Sequence, residues 1–226
     1  MGLDFFEPVY LAKLAGLLVP AVGETIYMVA AATLLAYILG MPLGVFLVVS
    51  SPGHILPNPW VEKTLGTVIN ILRSAPFIIL MVALIPITRA LVGTSIGTTA
   101  AIFPLVISTA PFVARIVETS LKEVPEGVIE AAMSMGASPW QIIIKVLLPE
   151  ARASLIMGTA ITTISVVGYT AMAGTVGGGG LGDLAIQYGY NRFRTDIMLI
   201  TIAVLVVIVQ AIQSLGTAMA KKMSHS

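Results

Sequence analysis

The stretch IEAAMSMGASPWQIIIKVLLPEA, residues 129–151, places two carboxylates, a lysine and two helix breaks inside an otherwise strongly apolar chain. Pro125 suits the first turn of a helix, because its missing N–H would have no partner there. Glu126 and Glu130 near that start complement the helix dipole. Val128, Ala132 and Met135 recur at i, i+4 and i+7 and predict an apolar stripe. Gly136 is a natural left-handed terminator. Ser138-Pro139 then reads as a cap followed by proline at the first helical position, so a second helix starts at once. Trp140, Ile143, Ile144 and Leu147 form its expected stripe, and Pro149 limits how far it runs undistorted. Two short amphipathic helices joined by a tight turn are expected. On periodicity alone this is equally an interfacial connector lying on a membrane or a docking element for a partner.

The surrounding chain is that of a membrane protein. Of its 226 residues, 57% are hydrophobic and 10% charged, against about 25% charged in soluble domains. The mean hydropathy is +0.99. A net charge of +1 offers no basic surface for nucleic-acid phosphates. Cysteine is absent and the only histidines are His54 and His225, so neither a thiolate nor a His-rich metal site is expected. Asp4 and Glu7 precede the first lysine, unlike the basic start of a cleaved signal peptide.

About 20 apolar residues cross a bilayer as a helix. Windows free of Asp, Glu, Lys and Arg cover residues 25–61, 90–114, 153–182 and 197–220. Residues 74–88 form a shorter one, which becomes a span by starting near Leu65 and taking in Arg73. The expected fold is therefore an all-α integral membrane protein. Its single transmembrane domain, residues 1–226, has five spans at 22–49, 65–87, 93–114, 153–174 and 197–220, with a segment at 125–149 between the third and fourth. Lys63, Arg115, Lys122, Lys145, Arg152, Lys221 and Lys222 then share one side, so the positive-inside rule predicts the N-terminus outside and the C-terminus in the cytoplasm. That places residues 125–149 on the cytoplasmic face, together with Trp60 and Trp140.

Glu130-Ala131-Ala132, Gly136 after three intervening residues, and Leu148-Pro149 after nine residues, an apolar residue and one more resemble the EAA signature of importer-type ABC transporter permeases. Val146 stands where that family usually has isoleucine. The resemblance implies a coupling helix, built here from Glu130, Ala131, Ala132, Gly136, Ala137, Ser138, Pro139, Leu148 and Pro149, that docks on an ATP-hydrolysing subunit. The stretches from Asn70, Ala110 and Gly168 look like the permease subunits of methionine importers, and this likeness extends over residues 14–220. It implies a type I importer fold and a homodimer in the bacterial inner membrane. It also implies two ABC ATPase subunits that bind ATP and magnesium, an external substrate-binding lipoprotein, and no catalysis in this chain. Independently of the resemblance, the chain has no G-x-x-x-x-G-K-[ST] phosphate loop.

The remaining features admit two readings each. Gly177 to Gly180 form either a gate region at the pathway mouth or a plain loop. Arg73 sits either within the membrane, where a charge marks function, or at its edge, where it snorkels beside the pathway. No acid or histidine falls clearly within the spans, which argues against proton-driven transport. Ser165, Tyr169, Met172 and Thr175 are the candidate pathway residues, with Met172 of two copies expected to meet at a dimer axis. The alternatives are the same machine carrying another amino acid or small solute, a self-sufficient secondary carrier, and a non-transporting scaffold.

Overall fold

The computed structural model describes residues 8–224; Asp4, Glu7 and His225 lie outside them. Every described element is helical. The first, α1 (Pro8–Val49), is 42 residues long, about 63 Å at 1.5 Å per residue, and begins well before the expected residue 22. Asn58 caps α2 (Pro59–Ser74) by accepting the Val61 N–H on its side chain.

The span expected over residues 65–87 is interrupted. Ala75 is extended (φ −76°, ψ 127°), as proline requires of the residue before it, and Pro76 supplies no N–H. The chain resumes as α3 (Phe77–Ala83) and α4 (Ile85–Val92). Gly93, at φ 84°, closes α4 by donating its N–H to Arg89 O. Consequently α5 (Thr98–Lys122) starts five residues after the expected 93 and runs on past 114. After α6 (Glu126–Ser134), α7 (Pro139–Ile142) and α8 (Leu148–Glu150) come α9 (Arg152–Gly174), α10 (Gly180–Leu184), a π-helical turn (Ala185–Tyr190) and α11 (Thr195–Ser224). Four of the described helices are long and apolar enough to cross a membrane; a fifth span requires α2 and α3 together across their break.

The chain divides into two compact units. One takes in α1 as far as Ala32, residues Phe77–Leu105 and Ser165–Ala211. Its core joins Ala21, Leu181, Leu184 and Ile197, flanked by Leu14, Leu18 and Leu205. The other comprises Thr33–Pro76, Val106–Ile164 and the chain from Ile212. Its main core holds Ala36, Val48, Val113, Val117, Leu121, Leu147 and Leu155.

Glycine sets the helix spacing in this second unit. A Cβ on Gly40 would strike Ala110 O and Val113, and one on Gly44 would strike Ala114 O and Val117. The Gly40-x-x-x-Gly44 face of α1 therefore lies directly against α5, the close approach that small residues permit where hydrophobic burial is weak. Gly158 of α9 meets Ile116, and Gly216 of α11 meets Ala160, in the same way.

Candidate functional site

The segment at 125–149 forms α6 (Glu126–Ser134), α7 (Pro139–Ile142), a π-helical turn (Ile143–Leu147) and α8 (Leu148–Glu150). At the bend, Gly136 has φ 78°. The Ala137 N–H donates to Ala132 O at 3.1 Å and the Gly136 N–H to Met133 O at 2.9 Å, the paired bonds of a Schellman closure. The following helix starts with a reciprocal capping box: the Gln141 N–H donates to Ser138 Oγ at 3.3 Å, and the Ser138 N–H donates to Gln141 Oε1 at 2.8 Å. At the knuckle two orphan N–H groups of one helix end and two carbonyls of the other are thus satisfied, which stiffens the bend. Pro149 has no N–H to offer the fourth carbonyl back, and the preceding turn widens so that the Leu148 N–H reaches Ile143 O.

The buried faces differ from the expected stripes. Ile129 and Ala132 of α6 are buried, whereas Val128 and Met135 are exposed. On the second helix Ile142, Ile143 and Leu147 are buried, whereas Trp140 and Ile144 are not. The buried set enters the same core as Val48, Val49, Val113, Val117 and Leu121. Ala132, Ile143 and Leu147 are buried as expected, and packing against α1 and α5 adds Ile129 and Ile142 in place of Val128, Met135, Trp140 and Ile144. This leaves Met133 (52% exposed), Met135 (81%) and Trp140 (70%) on the free side. Of the residues implied by the EAA signature, Glu130, Ala131, Gly136, Ser138, Pro139 and Pro149 are exposed, Ala137 and Leu148 are half-buried, and Ala132 is buried.

Beside this segment, His54 lies in the turn between α1 and α2, its Nδ1 buried without a described partner. Burial lowers its pKa below the ordinary histidine value; Glu126 opposes that shift and Lys122 adds to it. A charge network missing from the expected site joins α5 to α2. Glu118 pairs with Arg115 at 2.5 Å and with Lys122 at 2.7 Å. Arg115 also donates to Gly66 O at 3.1 Å and Asn70 Oδ1 at 2.8 Å. The i+3 and i+7 spacing from Arg115 was a legible signal for Glu118 and Lys122; the α2 partners had none.

In the other unit the candidate pathway residues are distributed unequally. Met172 is 47% exposed, and Thr175 is exposed, its hydroxyl donating to Met172 O at 2.7 Å. Tyr169 is half-buried, its ring stacked on Phe77 at 4.7 Å. Ser165 is half-buried. The glycine run is held in a defined shape, with Gly177, Gly179 and Gly180 at positive φ. The Gly97 N–H donates to Gly177 O at 2.8 Å, the Gly180 N–H to Glu24 Oε2 at 2.7 Å and the Leu181 N–H to Thr25 Oγ1 at 2.9 Å. Glu24 is thus an acid inside an apolar helix, at the start of a span in which no acid was expected.

Arg73 is exposed, with its Cζ 5.9 Å from the Phe112 ring centroid, at the edge of a cavity of about 280 Å³ between α2, α5 and α9.

The model of a family described as binding-protein-dependent transport system inner membrane component matches residues 36–225. A probable D-methionine transport system permease protein MetI of Vibrio cholerae is 53% identical over 209 residues, covering 92% of this chain and 93% of the relative. The D-methionine transport system permease protein MetI of Escherichia coli is 51% identical over 158 residues, 70% of this chain and 73% of that one. A solved structure of the MetNI methionine ABC transporter in inward-facing conformations superposes with a TM-score of 0.92 at 46% identity, covering 93% of this chain and 98% of that one.

Proposed function

Because the chain belongs to the family of binding-protein-dependent transport system inner membrane components, we propose that it is the membrane-spanning permease subunit of an ATP-driven importer, with methionine as its cargo. The observation that carries this reading is the rigid knuckle at Gly136 and Ser138, together with relatives over half identical whose names specify methionine transport. Met133, Met135 and Trp140 give the knuckle a soft apolar surface of the kind that adapts to a protein partner. Its buried side is continuous with the core around α1 and α5, so a push on the knuckle moves whole helices.

The subunit performs no covalent step. Two copies form the pathway, and two ABC ATPase subunits, which bind ATP and magnesium, dock on the knuckles from the cytoplasm. In the most apolar window of α11 only 11% of residues are buried within the chain, leaving that helix free to face lipid or a second copy. The C-terminus and the knuckle share the cytoplasmic side with most of the lysines and arginines, and an external binding protein delivers the solute opposite. Nucleotide state then biases a two-state bundle between inward- and outward-facing forms.

The test is reconstitution in proteoliposomes with the ATPase subunits and the binding protein. ATP-dependent methionine uptake is the expected result. Uptake by this chain alone, without an ATPase, would instead establish a self-sufficient carrier. ATP-driven uptake of a different solute would keep the machine and change the cargo.

A further inference from the structure

The geometry points to a binding subsite for the carboxylate of an α-amino acid at Arg73, in the cavity it shares with Phe112, Met157, Ile161, Ser120 and Ser154. This rests on the importer reading and adds to it a place in the membrane chain where cargo is held. The first ground is charge. Arg73 stands in the last turn of α2 at the rim of an apolar-walled cavity, and among the described residues the only group engaging it is the Phe112 ring. Its neighbour Arg115 gives both terminal nitrogens to Glu118, Gly66 O and Asn70 and keeps only its buried Nε unpartnered. Arg73 is therefore the cation with capacity to spare, and a carboxylate is the group its planar fork matches, with two parallel N–H···O bonds.

The second ground is the chemistry of the walls. Phe112, Ile116, Met157 and Ile161 offer an apolar surface to a side chain, and Thr119, Ser120 and Ser154 offer oxygens to an ammonium. The Ser154 hydroxyl donates to Ser120 Oγ at 2.9 Å, and Thr119 Oγ1 donates to Arg115 O, also at 2.9 Å. Both serine and threonine oxygens keep lone pairs for a cationic donor. At about 280 Å³ the cavity lies just below the ~300–1,000 Å³ of pockets for drug-sized molecules, a size suited to a free amino acid.

The third ground is position. Ser154, Met157 and Ile161 follow one another on α9 at spacings of three and four, so that one helical face supplies both hydroxyl and apolar groups to the cavity.

The experiment uses the reconstituted complex with its ATPase subunits, without the external binding protein, and a tritiated diazirine analogue of methionine as probe. On illumination, label is expected on peptides containing Phe112, Met157 or Ile161. It should be competed by methionine but not by methioninamide, which lacks the carboxylate. Arg73→Gln should reduce labelling about tenfold or more and Arg73→Lys by less, in keeping with loss and retention of a charge-assisted contact. Met157→Trp, which fills the cavity and leaves Arg73 in place, should also abolish it. Labelling that persists in Arg73→Gln, or that is displaced by anionic phospholipid in the bilayer rather than by methionine, overturns the subsite; the second outcome would mark Arg73 as a lipid-headgroup contact. ATP-driven methionine uptake, measured in matching vesicles with the binding protein added, separates the two failures. Uptake without cavity labelling removes only the subsite, whereas no uptake removes the importer reading beneath it.

Discussion

Gly180 donates its backbone N–H to the Glu24 carboxylate at 2.7 Å, joining the end of the glycine run to a helix 156 residues earlier in the chain. Gly179 stands so close that an added Cβ would come within 2.9 Å of Glu24 Oε2, and one on Gly180 within 2.7 Å of Thr25 Oγ1. The run therefore rests on α1 as a fitted strap. Both positions also have positive φ, so any side chain there is strained as well as crowded.

Removing the acceptor should loosen that strap. Glu24→Ala is expected to destabilise the purified protein by about 1–3 kcal/mol, the range for stranding a buried donor or losing a charged hydrogen bond. Glu24→Gln, which keeps an acceptor oxygen, should lose less. Thermal unfolding in detergent, comparing the two variants, reads the difference; equal midpoints for Glu24→Ala and wild type would show that the bond carries no stability.

The contact between α1 and α5 allows a sharper comparison. Gly44→Val should destabilise by at least the ~1–3 kcal/mol typical of overpacking, because its Cβ would meet Ala114 O and Val117. Gly16→Ala and Gly23→Ala, where nothing lies within 4 Å, should leave the melting temperature unchanged or slightly raised, alanine being the better helix former.

At the knuckle, Gly136→Ala forces a Cβ into the left-handed region at a cost of about 1–2 kcal/mol, and Ser138→Ala removes a cap worth about 1 kcal/mol. Gly136→Pro goes further, since proline cannot adopt φ 78° and has no N–H for the bond to Met133 O. The expected phenotype is a chain that still inserts in the membrane but no longer couples: basal ATP hydrolysis remains in the assembled complex and ATP-driven uptake is lost. Normal coupling in Gly136→Pro would exclude the knuckle as the transmission element.

His54 predicts a pH dependence with a definite sign. Its folded pKa lies below the ordinary value near 6.5, chiefly through burial, so the unfolded chain binds the proton more readily. Stability should then be fully present above about pH 6.5–7 and fall as the pH drops through that value towards the lower folded pKa. Melting temperatures measured from pH 8 down to pH 5 should decline in wild type and be flatter over that window in His54→Gln.

Much of the candidate site was legible because it is local. Gly136, Ser138 and Pro139 announce a turn by backbone chemistry that involves only their neighbours, and the Schellman closure and capping box follow from it. The direction in which those short helices face was not legible. Val128 and Ile129 are both apolar, and only the core around Val48 and Leu121 selects Ile129 for burial. The same holds for the span expected over 65–87, where the break at Pro76, the two short helices that follow it and the late start of α5 at Thr98 emerge only in the structure.

By itself the sequence determined that the chain is a membrane bundle with a structured knuckle, because insertion depends on runs of apolar residues and capping on residues three or four apart. Tertiary structure alone decided that Glu24 holds Gly180, that the Gly40–Gly44 face lies against Val113 and Val117, that Arg115 reaches Gly66 and Asn70, and that Arg73 meets the Phe112 ring and no anion among the described residues. The reason is that these pairings join helices through separations of 45 to 156 residues. No local periodicity encodes them; they follow from which helix faces can approach closely enough to satisfy one another's polar groups in a medium that offers no water to do so.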